Sequence, residues 1–266
     1  MPNQKMLMLI ATFLVAIGLI GALFTFSTSG ATTEKEQTEV IQNADITDIW
    51  VKSENATINI VSTTDEKITL VFTAPESKHH LYELSIEENE ESLAIELKEK
   101  FLQFISLDLS LSSPEISLYL PEKDYDMLEI NGVNGKIDVR DAAVTDINVK
   151  NVNGRIQLTD LEADSTSVTS NNGSISIENV TGQITTDVTN GSTALITDDL
   201  DRFIDLASVN GRINVQTKEK PTNATIEVDV KNGKVDIFGQ DTRHSSFGEG
   251  EHLIKLETVN GKIKVE

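Results

Sequence analysis

The dipeptide Asn-Gly recurs seven times in the second half of the chain, always in a similar context. The phrase is VNGKIDV at residues 133–139, VNGRINV at 209–215 and VNGKIKV at 259–265. Most copies begin 18 to 22 residues apart. A repeat of this length is typical of folds in which each copy is one structural unit stacked on its neighbours. The pairs are Asn134-Gly135, Asn153-Gly154, Asn172-Gly173, Asn190-Gly191, Asn210-Gly211, Asn232-Gly233 and Asn260-Gly261.

Apolar residues stand at fixed distances from each repeated Asn. The positions six and four before it, and three and five after it, are mostly Ile, Val or Leu. The first copy has Leu128 and Ile130 before the Asn, and Ile137 and Val139 after it. This spacing of two predicts a strand on each side of the pair, with one face of each strand buried. A degenerate eighth copy is predicted around Asn55, where Ala replaces the glycine.

Two architectures can use such a pair. Asn-Gly is typical of a two-residue hairpin turn, which would place apolar residues symmetrically, two and four positions before the Asn. The position two before is instead mostly polar or small, as at Asn151, Ser170 and Ser208. This asymmetry favours a corner between two strands of one coil, where Gly allows the bend and Asn amides bond from coil to coil.

The fold predicted from these patterns is all-β, a parallel β-solenoid of about seven to eight coils. Successive copies are expected to stack in sequence order about 4.8 Å apart; a closed sandwich is the alternative. The solenoid is assigned to residues 122–266, with inserted loops at 217–223 and 239–251. Residues 45–121 also alternate, although less regularly, and are predicted to form a capping strand region over the first coil. Within it, Leu102 to Leu111 is predicted as a strand.

The N-terminal segment predicts a membrane anchor. Residues 6–26 carry no charge, and a helix of that length spans about 30 Å, the thickness of a bilayer core. Lys5 precedes it and an acidic body follows, so residues 1–5 are expected in the cytoplasm and the body outside. Residues 27–44 are polar and predicted to be a flexible linker. A cleaved signal peptide, ending near Ser29-Gly30-Ala31, is the alternative.

The stretch LYLPEKDYDMLEINGVNGKIDV, residues 118–139, has a strand that ends in proline, a short loop and then the first Asn-Gly coil. It resembles the LiaG-like putative adhesin family, bacterial domains of unknown function with an N-terminal membrane segment and a solenoid body. The resemblance implies a place in the cell envelope and a link to envelope-stress operons. It supplies no catalytic residues.

Chemical motifs are scarce. The chain has no cysteine, which excludes disulfides, thiolate catalysis and cysteine metal sites. Its net charge of -21 argues against a nucleic-acid partner. We therefore expect no enzymatic activity, no metal and no cofactor. The four histidines follow no metal-ligand spacing, and an acidic turn beside Arg202 is too common a feature to indicate a calcium-dependent lyase. These residues are His79, His80, His244 and His252, and Asp198, Asp199 and Asp201.

One feature goes beyond architecture. The residue two places after the repeated Asn is basic in five of the seven copies, although the protein is strongly acidic. In a stack these side chains would share one edge, and we hypothesise that they bind an anionic envelope polymer, such as a teichoic acid, or lipid headgroups. The alternative is a solvated corner whose charges prevent edge aggregation. The five residues are Lys136, Arg155, Arg212, Lys234 and Lys262.

The predicted function is that of a single-pass, membrane-anchored, extracytoplasmic structural or interaction module of the bacterial cell envelope, similar to an adhesin. Its partners would be the membrane, through the anchor, and an anionic wall polymer or another membrane protein. The alternative is a regulatory accessory that binds a membrane partner of an envelope-stress signalling system. A third alternative, a polysaccharide-active enzyme, needs convergent carboxylates and a base, which these residues do not supply.

Overall fold

A computed structural model describes residues 34–76, 80–101 and 113–266, and the regular elements of these residues are all strands. They form one 15-stranded sheet, most of it parallel, which confirms the all-β, solenoid-like class. None of the described elements is a helix able to cross a bilayer. The predicted span at 6–26 lies outside the described residues. The strands are β1 Glu34–Ile41, β2 Asp48–Asn55, β3 Thr57–Thr63, β4 Ile68–Pro75, β5 His80–Glu88, β6 Ser92–Phe101, β7 Glu115–Pro121, β8 Asp124–Arg140, β9 Ala143–Leu161, β10 Ser165–Val180, β11 Gln183–Thr197, β12 Ile204–Thr217, β13 Ala224–Ile237, β14 His244–Ser246 and β15 His252–Val265.

The repeated copies are long strands of 14 to 19 residues, each bent at its Asn-Gly pair. The pair divides every strand into a first arm before the Asn and a second arm after it. Strands β8 to β12 stack in parallel, with each Asn beside the Asn of the next coil. The degenerate copy is the first coil, because β2 pairs with the first arm of β8 and β3 with its second arm.

The last two copies do not stack in sequence order, and here the prediction was wrong. Strand β15 lies between β12 and β13, so Asn260 adjoins both Asn210 and Asn232. The segment 239–251, predicted as a loop, contains β14, which pairs antiparallel with β13. Because β14 pairs with one edge of β13, only the opposite edge of β13, which faces β12, is free to pair with β15. The copy VNGKIKV is therefore next to last in the stack.

Strands from the first third of the chain cover the first coil. Strand β6 pairs in parallel with β2 and extends the row of first arms. Strand β7 pairs in parallel with β3 and extends the row of second arms. Outside them lie the antiparallel strands β5, β4 and β1. Strand β1 falls within the predicted linker at 27–44, so the second half of that linker is an edge strand. The strand predicted at Leu102 to Leu111 lies outside the described residues.

The core runs along the axis of the stack. The positions six and four before each Asn, and three and five after it, are buried in all seven coils, as for Leu128, Ile137 and Val215. The position two before the Asn is buried in most coils as well, although it is often polar, as at Ser170 and Ser208. Its polarity therefore does not mark an outward position. Neither hydroxyl has a hydrogen-bond partner, which marks these sites as costly positions beside the bend.

Candidate functional site

The Asn side chains form one continuous ladder along the corner of the stack. Each Asn donates its amide to the side-chain oxygen of the preceding coil, over 2.6 to 3.0 Å. The ladder begins at Asn55, whose amide donates to Glu99 over 2.7 Å. It ends at Asn232, which donates to Asn260 over 3.0 Å. In stack order the members are Asn55, Asn134, Asn153, Asn172, Asn190, Asn210, Asn260 and Asn232.

The glycine after each Asn is required by the close approach of neighbouring coils. A Cβ added at Gly173 would lie 1.9 Å from the carbonyl oxygen of Gly154, and one at Gly261 would lie 1.6 Å from that of Gly211. The backbone angle is a second constraint at only some copies, with φ of 124° at Gly135. No side chain fits these positions without separating the coils. The Asn-Gly pairs therefore place the residue that follows them at the coil spacing of about 4.8 Å.

Three coils have a second corner, after the second arm, which the sequence interpretation did not predict. Asp141, Asp160 and Asn179 have positive φ angles of 53° to 55°, and the Asn179 amide donates to Asp160 over 2.9 Å. Asp and Asn tolerate this left-handed conformation better than other side chains. The signal was available, because each of these residues stands seven places after a repeated Asn. These corners close the coils and have a structural role.

The structure brings the five basic positions onto one edge, in two groups. Lys136 lies beside Arg155 on β8 and β9. Ser174 and Ser192 occupy the next two coils, and the second group follows them. Because β15 is inserted, Lys262 lies between Arg212 and Lys234. We call these three residues the basic triad; they are Arg212, Lys262 and Lys234.

The two groups differ in their ion pairs. Lys136 is held by Asp138, which also accepts from Arg140, each over 2.5 Å. The Asp138 side chain is 3% exposed, and hydrogen bonds from Arg140 and Lys136 hold its pKa below its ordinary value, against the opposing effect of burial. The basic triad, in contrast, has no salt bridge to any described residue. Arg155 has no salt bridge among the described residues either, but its basic neighbour Lys136 is paired. The triad is therefore the largest group of adjacent basic side chains without a salt bridge on this edge.

The other candidate residues do not converge. Asp201 accepts from the backbone amides of Thr222 and Asn223, and Asp198 pairs with Lys218 over 2.5 Å, so this acidic turn fixes loops. Arg202 donates to two backbone carbonyls and a threonine hydroxyl. No group of three or more potential metal ligands occurs among the described residues. His244 lies in β14, His252 begins β15 and His80 begins β5; His79 lies outside the described residues.

A family model matches most of the chain, and several solved structures are similar to it. No curated protein matches the sequence. One similar solved structure is a "putative adhesin" from Bacteroides fragilis NCTC 9343, with 13% identity over 88% of this chain and 99% of that chain, at a TM-score of 0.49. Another is a "putative cell adhesion protein" from Clostridium sporogenes ATCC 15579, with 13% identity, the same coverage and a TM-score of 0.42. The model of the Toastrack DUF4097 family matches residues 46–243, and the chain belongs to that family.

Proposed function

We propose that the protein is an extracytoplasmic interaction module of the bacterial cell envelope, and that the basic triad binds an anionic polymer. The observation that carries this proposal is the adjacency of Arg212, Lys262 and Lys234 on three successive coils, without a salt bridge to any described residue. The anchor at residues 6–26 and the LiaG-like affiliation belong to the same proposal. They rest on the uncharged N-terminal run and on the sequence resemblance.

The electrostatics of the triad favour a ligand over a purely structural role. Like charges on directly opposed residues of neighbouring strands destabilise a sheet. Several lysines elsewhere in this protein form salt bridges with carboxylates, as Lys255 does with Glu257 over 2.8 Å. The triad lacks such relief, so its mutual repulsion is a cost that a bound anion would remove. Phosphate or carboxylate groups spaced along a polymer would gain charge-assisted hydrogen bonds there.

The stack also suits an extended ligand. The glycine contacts prevent the corner from collapsing, and the Asn ladder joins all eight coils along it. A row of side chains spaced at about 4.8 Å is thus presented with little conformational freedom in the backbone. Preorganisation of this kind lowers the entropy cost of binding.

The test compares two variants of the full chain, purified in detergent micelles. The first replaces the triad, Arg212→Gln, Lys262→Gln and Lys234→Gln. The second replaces three ion-paired lysines outside the triad, Lys100→Gln, Lys218→Gln and Lys255→Gln, which matches the change in net charge. We expect cosedimentation with purified wall teichoic acid to fall about tenfold or more for the first variant only. Equal losses in both variants, or unchanged binding in the first, would contradict the proposal.

A further inference from the structure

The only tryptophan of the chain lies on the outer face of the first arm, away from the corner. Trp50 is on β2, partly exposed, and its indole N–H has no hydrogen-bond partner among the described residues. A tryptophan without structural packing in the core or a hydrogen bond is typical of a contact surface, because its ring offers a large, rigid area. The outward position of Trp50 could have been predicted from the alternation of β2, since Ile49 and Val51 on either side of it are buried.

The neighbours of Trp50 leave a depression beside it. Across the sheet, Trp50 lies opposite Ala94 of β6, and Ala94 lies opposite Glu87 of β5. The short side chain of Ala94 thus separates two much larger ones. The depression has a volume of about 280 Å³, near the lower end of the range for small-molecule sites, ~300 Å³.

Charged groups of both signs and uncharged polar groups line the depression. Lys52 pairs with Glu96 over 3.0 Å in the adjacent row, and Lys98 contacts the second oxygen of Glu96 over 2.8 Å. Ser85 and Asn131 complete the row. The site therefore offers hydroxyl, amide and carboxylate groups beside an aromatic face, with its cations already paired. Such a lining disfavours an anion, because no cation is free, and disfavours an apolar side chain, which would bury the ion pairs.

We propose that this depression binds an uncharged saccharide, whose ring packs against the indole of Trp50. The C–H face of a sugar ring is apolar and flat, which suits an indole, while its hydroxyls need both donors and acceptors at the edges. Glu87, Ser85 and the Lys52–Glu96 pair supply both kinds of group around the ring. The site is separate from the basic triad and takes a ligand of different charge.

Trp50 itself reports on binding, because no other tryptophan contributes to the fluorescence. The full chain in detergent micelles is titrated with tetra-N-acetylchitotetraose, maltotetraose and cellotetraose, and with the anionic trigalacturonic acid as a control. We expect a saturable change in tryptophan emission with at least one neutral sugar and none with the acid. Ala94→Leu, which fills the depression and keeps the fluorophore, should weaken the affinity about tenfold or more.

Calorimetry gives a second measurement that does not depend on fluorescence. Trp50→Ala should abolish the heat of binding, while Tyr119→Ala, at an exposed aromatic of β7, should leave it unchanged. The triad variant should still bind the sugar, so this inference can fail or hold independently of the proposed function. No response to any neutral sugar, a stronger response to the acid, or unaltered affinity in a folded Ala94→Leu or Trp50→Ala variant would overturn it.

Discussion

The repeated glycines show a directional rule at the scale of single residues. At every Asn-Gly pair, a Cβ added to the glycine would meet the backbone of the preceding coil in the stack. For Gly233, that backbone belongs to Gly261. Ala56 holds the same place in the first coil and is buried. An Ala is accommodated there because the first coil has no Asn-Gly corner of this kind before it. The replacement of glycine by Ala56 in the degenerate copy thus has a physical reason.

This rule predicts opposite outcomes for two small substitutions. Gly173→Ala should reduce the free energy of unfolding by about 3 kcal/mol, because its Cβ would force two backbones apart. The control, Ala56→Gly, should cost no more than about 1 kcal/mol, the usual entropic penalty of glycine. Urea unfolding followed by circular dichroism measures both values. Similar losses in the two variants would contradict the rule.

The Asn ladder predicts a second difference. Asn172 donates to Asn153 and accepts from Asn190, whereas Asn232 at the end of the ladder only donates. Asn172→Ala should therefore destabilise the protein about twice as much as Asn232→Ala, at roughly 1 kcal/mol for each hydrogen bond. Denaturant titration of the two single variants provides the comparison. Equal destabilisation would show that the side-chain bonds contribute little.

Asp138 predicts a pH dependence of stability. Hydrogen bonds from Arg140 and Lys136 lower the pKa of the folded carboxyl below its ordinary value of 3.8. A depressed folded pKa stabilises the protein above the unfolded pKa, and this contribution is lost as the pH falls through the folded value. Asp138→Asn should therefore be less stable than the parent at neutral pH, and the difference should shrink below pH 3.8. A difference that stays constant into acid would contradict this.

At the scale of elements, local pattern predicted the coils but not their order. The offsets from each Asn identified the buried positions of β8 to β13, because a period of two is a property of each strand alone. The placement of β15 depends on β14, a three-residue strand whose sequence, His-Ser-Ser, carries no apolar alternation. The true order changes only the middle member of the triad, since stacking in sequence order would place Lys234 between Arg212 and Lys262.

Two deletions separate sequential coils from the inserted one. Removing residues 153–171 joins Val152 to Asn172 and preserves the phrase Val-Asn-Gly, so a shorter stack should still fold. Removing residues 252–266 deletes β15 and leaves β13 without its parallel partner, so cooperative unfolding should be lost. Thermal melting by circular dichroism tests both proteins. A folded protein after the second deletion would show that β13 can pair with β12 directly.

At the scale of the whole molecule, the basic triad lies on a strongly acidic protein. The chain carries 22 basic and 43 acidic groups, and most salt bridges in the described residues lie away from the triad. The acidic surroundings repel a polyanion at long range, and the triad attracts it at contact. Salt reduces both effects, since the Debye length falls from about 10 Å at 0.1 M to about 3 Å at 1 M.

Binding of teichoic acid should therefore depend on salt in a characteristic way. Affinity of the parent protein should be highest at an intermediate ionic strength, where long-range repulsion is screened but contacts at the triad persist. The triad variant should show no such maximum. Cosedimentation at a series of sodium chloride concentrations measures this. A monotonic decrease from the lowest salt would indicate that the acidic surface has no effect on approach.

The insertion of β15 also affects the order in which the strands can pair while the chain is being made or exported. A chain that leaves a ribosome or a translocon presents β12 and β13 before residues 252–265 exist outside it. Until then β13 either lacks its parallel partner or occupies the edge of β12 that belongs to β15. Stacks that grow in sequence order have no such interval. Misfolding is therefore expected at the last stage of assembly, and chains that stop there should be cleaved by quality-control proteases.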